Sequence, residues 1–499
     1  FEKRFGYSLK ERLPELFLRN GAEALSKVTR DYFELCQELF LERFAIPVYE
    51  WCKRNNLIFT GHVLHEDALC CQAVMQGSLM RFYEYMDYPG IDILSEGNQC
   101  YWAAKQISSV ARQLDKEWVL SELYGCTGWQ MDFEDYKNVG DWQALFGVNL
   151  RCPHLSWYTM KGEAKRDYPA SMLHQSGWYG DYHYVEDYFS RIHAVLHGGK
   201  PVCELLVMNP IESVWARAYS GAFDGLMAAD EGIKHLEEQY AALFHILAGN
   251  RIDFDYGEED ILARHGRTKD GVLYVGKAAY RKVLVAGMDT MRLSTLKLLK
   301  DFAAQGGEVI FAGEVPGYVD AEPSEAPGKL AEMCVRIVFA EHEVVEACQS
   351  GREIRVVCAG GGSQETDTKA AGQTQADIPV EKGEAQEDRE EMTAAGSRDL
   401  FAQVFEIEAG RIVMLLNVNR EQGYKGITLD LGEGSCLEVW DARSGRVTEP
   451  EYRTEGGRLL ITLDLEKGGE RLYLIPAQKR ELPKTEHFPG KEKITVPEQ

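Results

Sequence analysis

Trp118–Gly125 reads WVLSELYG. Val119, Leu120, Leu123 and Tyr124 make it a short apolar strand, Gly125 ends it, and one carboxylate, Glu122, stands near its carboxyl end. Three stretches around it have the same character: Leu57–Leu64 (LIFTGHVL), Gly90–Leu94 and Val148–Tyr158. Helical patterns separate them, as at residues 29–55, where Tyr32, Cys36, Leu39, Phe40, Phe44, Val48 and Trp51 recur at helical spacing. Short apolar strands alternating with helices predict a parallel sheet covered on both faces. Four such units fit before the pattern changes near residue 200, whereas a closed eight-stranded barrel needs ~250 residues. Residues 1–200 are therefore expected to be the C-terminal half of a TIM (β/α)8 barrel, strands five to eight. The chain opens at Phe1 with neither a start Met nor a signal peptide, so the first half is expected upstream and export is not judged. A half-barrel leaves open sheet edges, which predicts exposed apolar surface.

A second α/β domain is expected over residues 201–345, from the strand Val202–Met208, the helix around Gly232–Leu247, the strands Lys282–Ala286 and Glu308–Ala312, and the helix Thr295–Ala304 between the last two. It has no GxGxxG turn, so dinucleotide binding is not expected. Residues 359–398 are rich in Gly, Gln, Thr and acids and almost free of apolar groups, which predicts a disordered insertion. Residues 399–480 then alternate short strands, such as Ile412–Asn417 and Leu472–Ile475, with Gly-rich turns, the pattern of a β-sandwich.

Composition narrows the function. A formal charge of -24 argues against nucleic acid and anionic membrane surfaces, which want clustered Lys and Arg. No apolar run reaches the ~18 residues of a membrane helix. The twelve Cys form no CxxC pair, which argues against a zinc site and a disulfide framework and leans towards a cytoplasmic rather than a secreted protein. No Ser nucleophile elbow, P-loop or HExxH is present, and no organic cofactor is expected. Of the nine Trp only Trp215 and Trp440 lie beyond residue 190. Such a concentration of aromatic faces suits stacking on pyranose rings as well as it suits helix packing.

In parallel barrels the working groups sit at the carboxyl ends of the strands and in the loops that follow. Glu122 is there the catalytic candidate: a carboxylate at the barrel mouth can activate water or attack an anomeric carbon, and the alternative is a structural pair with a buried Arg or Lys. His65, Glu66 and Asp67 end the preceding apolar stretch in the same way and could hold sugar hydroxyls, a metal, or simply solvent. Glu96 and Asn98 are the weaker equivalents after the next strand. Tyr124, Trp129, His154, Trp157, Arg166, Asp167 and His174 complete a substrate-binding set on the loops after the last two strands, the mixture of aromatic and polar groups that lines sugar pockets. Asp132, Glu134, Asp135 and Trp142 are divided between that set and the following helix.

The stretches Leu57–Asp67 (LIFTGHVLHED), Ser121–Asp141 (SELYGCTGWQMDFEDYKNVGD) and His154–Pro169 (HLSWYTMKGEAKRDYP) resemble the α-L-rhamnosidase-like glycoside hydrolases of family 106. The resemblance covers about residues 1–350. It implies a barrel, then a glutamine-amidotransferase-like α/β domain without amidotransferase chemistry, then β-structure. It also implies inverting hydrolysis of rhamnose-containing glycans, Glu122 as the general base, a general acid upstream of Phe1, and calcium near the sugar, with no ligand set assigned. Two other expectations remain: a retaining barrel glycosidase of the β-galactosidase type, and a non-catalytic carbohydrate-binding protein.

Overall fold

A computed structural model describes residues 1–18, 25–95, 97, 99–163, 172–349, 353–357 and 398–484. Its first part is a sheet of four strands in sequence order: β1 (Thr60–Gly61), β2 (Tyr88–Asp92), β3 (Leu120–Leu123) and β4 (Leu150–Pro153). Every pairing is parallel. Before β1 come helix α1 (Lys27–Phe40), a π-turn at Leu41–Ala45 and α2 (Ile46–Arg54). Helices α3 (Leu69–Met75) and α4 (Leu79–Tyr83) follow β1, α5 (Tyr101–Gln113) follows β2, α6 (Phe133–Leu145) follows β3 and α7 (His183–Leu196) follows β4. Strands that neighbour in sequence order, each leading into a helix, are the arrangement that closed β/α barrels repeat. The hydrogen-bonded strands are shorter than the apolar runs, and β1 keeps only two residues of LIFTGHVL. A Cβ on Gly90 would lie 2.2 Å from the carbonyl oxygen of Gly61, so β1 and β2 approach this closely only because Gly90 has no side chain.

The α1–α2 stretch is helical as expected, but its buried face is not the apolar one. Tyr32, Leu39, Phe44 and Trp51 are exposed, as are Leu57 and Ile58 leading into β1, while Arg30, Asp31, Glu34 and Gln37 are buried. These side chains form exposed apolar surface on α1, the π-turn, α2 and the segment that leads into β1. The reason for the reversal is a buried ion network. Arg81 of α4 donates to Glu34 of α1 at 2.8 Å, to Glu212 at 2.8 Å and to Glu258 at 2.5 Å. Arg292 reaches Glu34 at 2.6 Å and Glu212 at 2.5 Å, and Arg30 reaches Glu212 at 2.7 Å. Burial alone would push the Glu212 carboxyl up, but Arg292, Arg30 and Arg81 hold it well below the usual carboxylate range.

Glu212, Glu258 and Arg292 belong to the second domain, a five-stranded parallel sheet. Its order is Val335–Ile337, Glu308–Ala312, Lys282–Ala286, Leu205–Met208 and Asp255–Gly257. The central three strands are those expected from their apolar runs. The two edge strands, VRI and DYG, are too short and polar to announce themselves. Lys200–Pro201, on the way from α7 into this domain, pairs with Leu400–Ile407 in the sandwich. Arg355–Val357, before the expected insertion, also joins the sandwich. That sandwich stacks a four-stranded and a six-stranded antiparallel sheet over its own core of Val413, Leu415, Leu429, Leu459 and Tyr473. Apart from Arg398, the insertion at 359–398 lies outside the described residues. Among the described residues no helix is long and apolar enough to cross a membrane.

Arg81 answers three buried carboxylates at once, so removing it leaves charges that nothing else on α4 can balance. Arg81→Ala is expected to cost about 3–5 kcal/mol, measured by chemical denaturation, with the loss falling on both domains in one transition.

Candidate functional site

The register of the sheet builds the site. Asp92 and Glu122 are partners across β2 and β3, and adjacent parallel strands place partnered side chains on one face. Glu122 sits between two imidazoles: His62 Nε2 is 2.9 Å from its Oε2, and His154 Nε2 is 3.6 Å from its Oε1. His62, one residue past β1, is fixed from behind by its Nδ1 at 2.5 Å from the carbonyl oxygen of Val63, and this nitrogen also lies 3.8 Å from Asp92. One atom each of His62, Asp92 and Glu122 fall within 4.8 Å of one another. His154 comes this near because a Cβ on Gly125 would stand 2.7 Å from its ring. The chain turns sharply after Glu122, with Tyr124 at φ 72° and Cys126 at φ 60°, left-handed conformations that cost energy for residues other than glycine and concentrate at working sites.

The acids around this centre differ. Burial pushes the Asp92 carboxyl up, the charge of Glu122 adds to this, and His62 opposes it. Asp92 Oδ1 is buried with no hydrogen-bond partner among the described residues. Glu66 lies behind Asp92, and its Oε1 accepts the Asp92 N–H at 3.1 Å. Burial raises the Glu66 carboxyl to about 8, with Asp92 and Asp67 adding to the rise, so at neutral pH it is an uncharged carboxyl.

The expected residues separate in space. Glu122, His154 and Glu66 converge. His65 is half-buried with a left-handed backbone (φ 61°) that turns Glu66 inward. Asp67 faces away: its carbonyl accepts the Trp102 indole N–H at 2.7 Å and its carboxylate the Cys100 thiol at 3.7 Å. Tyr124 is fully buried, its hydroxyl donating to the Tyr136 carbonyl at 3.4 Å, and so belongs to the core beneath the site. Trp129, 44% exposed, and Trp157 form an aromatic pair with centroids 5.1 Å apart on the loops after β3 and β4. His174 is exposed on the approach to α7. Glu96, Asn98, Arg166 and Asp167 lie outside the described residues. Asp132 caps α6, accepting the Glu134 and Asp135 N–H groups at 2.9 and 3.1 Å, while Asp135 returns a bond to the Asp132 N–H. Trp142 is core.

His62 and Asp92 were not among the expected residues. Both lie at the carboxyl ends of β1 and β2, but the apolar runs continue past the hydrogen-bonded strands to Leu64 and Leu94. The candidates read from those run ends, His65 and Glu96, therefore lie three and four residues beyond His62 and Asp92.

No protein-family model matches the chain, and no curated protein matches it. Solved structures do. A rhamnosidase from Novosphingobium sp. PP1Y gives a TM-score of 0.66 at 15% identity, over 98% of this chain and 44% of that one. A GH42 exo-carrageenase from Bacteroides ovatus gives 0.59 at 13% identity, over 96% and 62%. A catalytic mutant of a GH42 β-galactosidase from G. stearothermophilus gives 0.55 at 11% identity, over 95% and 74%. The chain thus spans less than half the length of the rhamnosidase. At these identities the likeness is one of fold: the structural neighbours are glycoside hydrolases.

The Glu66 proton has a measurable consequence. An unfolded Glu ionises near 4.5, whereas folded Glu66 keeps its proton to about 8. The folded state binds more protons throughout that window, so this group makes stability fall as pH rises from about 4.5 to 8. Glu66→Gln, uncharged at every pH, is expected to flatten that slope by up to a few kcal/mol, read from denaturation midpoints at pH 5 and pH 8.5.

Proposed function

We propose that this chain is part of a glycoside hydrolase of the inverting exo-α-L-rhamnosidase type, acting on rhamnose-containing glycans or glycosides. The observation that carries the reading is Glu122 at the carboxyl end of β3, in register with Asp92 and held by His62 at 2.9 Å. In this reading Glu122 is the general base. It takes a proton from the water that attacks the anomeric carbon, and the bond to the glycosidic oxygen breaks as that oxygen is protonated by a general acid. His62, whose two ring nitrogens face Glu122 and the Val63 carbonyl, orients the Glu122 carboxylate, with His154 beside its other oxygen. Trp129 and Trp157 offer ring faces to the apolar side of the sugar.

Inversion needs two carboxyls about 6.5–9.5 Å apart to leave room for water. Asp92, with an oxygen within 4.8 Å of Glu122, is too close for that role, so the acid in this reading is another residue. The same closeness favours a second reading, a retaining enzyme with Glu122 as nucleophile, since retaining pairs stand about 5–5.5 Å apart. The elevated Asp92 carboxyl would be its proton carrier. The two readings predict opposite anomers. In the full-length protein, release of 4-nitrophenol from 4-nitrophenyl α-L-rhamnoside is expected to fall about 10²–10⁴-fold in Glu122→Gln, and this chain alone, without the upstream acid, is expected to be nearly inactive. Proton NMR of the first sugar released is expected to show the β-anomer; the α-anomer would establish the retaining reading. If the rhamnoside stays intact and a 4-nitrophenyl β-galactoside is cleaved, the sugar in this proposal is wrong.

Calcium, which the resemblance implies, takes about six to eight oxygen ligands. Asp92 and Glu122 would supply two carboxylates to such an ion, through the buried Asp92 Oδ1 that has no hydrogen-bond partner among the described residues, and sugar hydroxyls and water would supply the remaining oxygens. His62 offers nitrogen and would not join the set. Bound there, the ion would position the sugar and offset the paired carboxylates. Dialysis against EGTA is expected to lower kcat/KM at least tenfold, with recovery on added calcium and none on magnesium, which demands a tighter octahedral cage.

A further inference from the structure

A cavity of about 600 Å³ lies outside the sheet, between α6, α7 and three loops of the sandwich. Its walls include Phe133, Tyr184 and Tyr188 on the helices and Arg443, Glu466 and Lys467 on the sandwich. Phe133 and Tyr184 lie in the first turns of the helices that follow β3 and β4, at the end of those helices that adjoins the carboxyl ends of the strands. The walls are fastened together. Arg191 of α7 donates to the carbonyls of Ala442 and Arg443 at 3.0 and 2.9 Å. Lys137 of α6 is bonded to Asp141, Glu470 and the Gly468 carbonyl. Tyr188 donates to Asp141 at 2.7 Å.

The lining chemistry selects a ligand class. Its cations are matched by carboxylates: Lys137 by Asp141 and Glu470, Arg443 by Glu470 at 3.8 Å, and Lys467 by Glu134 at 3.8 Å. No unanswered charge is left to recruit an anion, while the ion-pair rim offers many hydrogen-bond donors and acceptors. Tyr184 is 60% exposed and presents an aromatic face beside them. Aromatic faces with a polar rim, in a volume within the usual ~300–1,000 Å³ of ligand pockets, fit neutral pyranose units.

We propose that this cavity is a second carbohydrate-binding site, which holds a neutral part of the oligosaccharide remote from the bond being cleaved. The proposal rests on the glycoside-hydrolase reading for its substrate, but its binding test does not. A rhamnan oligosaccharide titrated calorimetrically into the full chain, wild type and Tyr184→Ala, reads the cavity without any need for turnover. Tyr184 is exposed, so its loss leaves the fold intact, and Lys467→Ala on the opposite wall provides an independent second variant. Each is expected to weaken binding roughly three- to tenfold, the scale of one aromatic or polar contact. Each is also expected to raise KM for the oligosaccharide while leaving hydrolysis of 4-nitrophenyl α-L-rhamnoside unchanged. Binding unaffected by both variants, or equal losses on the oligosaccharide and the small substrate, would overturn the proposal. If no glycoside is hydrolysed but the oligosaccharide still binds through Tyr184, the cavity stands and the catalytic reading falls.

Discussion

Arg81 is the constraint around which the first two domains are arranged. A guanidinium taken wholly out of water is tolerable only if carboxylates meet it with good geometry, and here three do, from three different elements. Glu34 brings α1, Glu212 the helix Ile211–Arg217, and Glu258 the start of the helix Glu259–His265. The Trp215 ring lies 5.0 Å from the same guanidinium and closes one side. The cluster has a directional consequence that apolar packing lacks. It draws the charged stripe of α1 inward, and the apolar stripe of the same helix is left facing out.

Around the candidate site, the sheet supplies what loops could not. Asp92 and Glu122 are neighbours because β2 and β3 are in register, and a slip of one residue would turn Glu122 to the opposite face. Two carboxylates so placed repel each other unless something intervenes. His62 sits beside both, and the uncharged Glu66 carboxyl supports the Asp92 backbone without adding a third negative charge. The result is one carboxylate with an imidazole nitrogen at 2.9 Å and one whose ionisation is opposed by burial. That asymmetry lets neighbouring acids take different roles.

Much of this was legible in the sequence. WVLSELY marked both a strand and its candidate residue, because a lone carboxylate among Val, Leu and Tyr is costly unless it faces a cavity. KVLVA and EVIFA were equally plain, since central strands buried on both faces must be continuously apolar. Strand ends were not plain: hydrogen bonding stops where neighbouring backbones diverge, and VLHE carries no mark of that divergence. The sense of α1 was not legible either. Periodicity identifies a helix with two unlike faces, but which face is buried depends on Arg81 and Arg292, 47 and 258 residues away from Glu34. Asp132 and Asp135 show the reverse case: their spacing before an apolar run is a capping signature, and capping is what they do.

The α/β domain, among its described residues, does not offer Cys203 as an activated thiol. Burial, with Asp255 nearby, raises the Cys203 thiol well above its ordinary range, the opposite of an activated nucleophile. Its contribution lies in what it holds. Glu237, on the helix Glu231–Gly249, accepts the Cys70 N–H at 2.8 Å, and the Leu226 carbonyl accepts the Cys70 and Cys71 thiols. These bonds grip the start of α3, directly after the His65–Asp67 turn. From within α3, Gln72 donates to the Glu66 carbonyl at 3.0 Å and to Gln106 of α5 at 3.0 Å. The chain of contacts therefore runs from the second domain through α3 to Glu66, and from Glu66 to the backbone of Asp92. A constellation of this kind works only when its members are held within about half an ångström of the productive geometry. The short strand β1 cannot hold its own loop to that tolerance, and the second domain does so from outside the sheet.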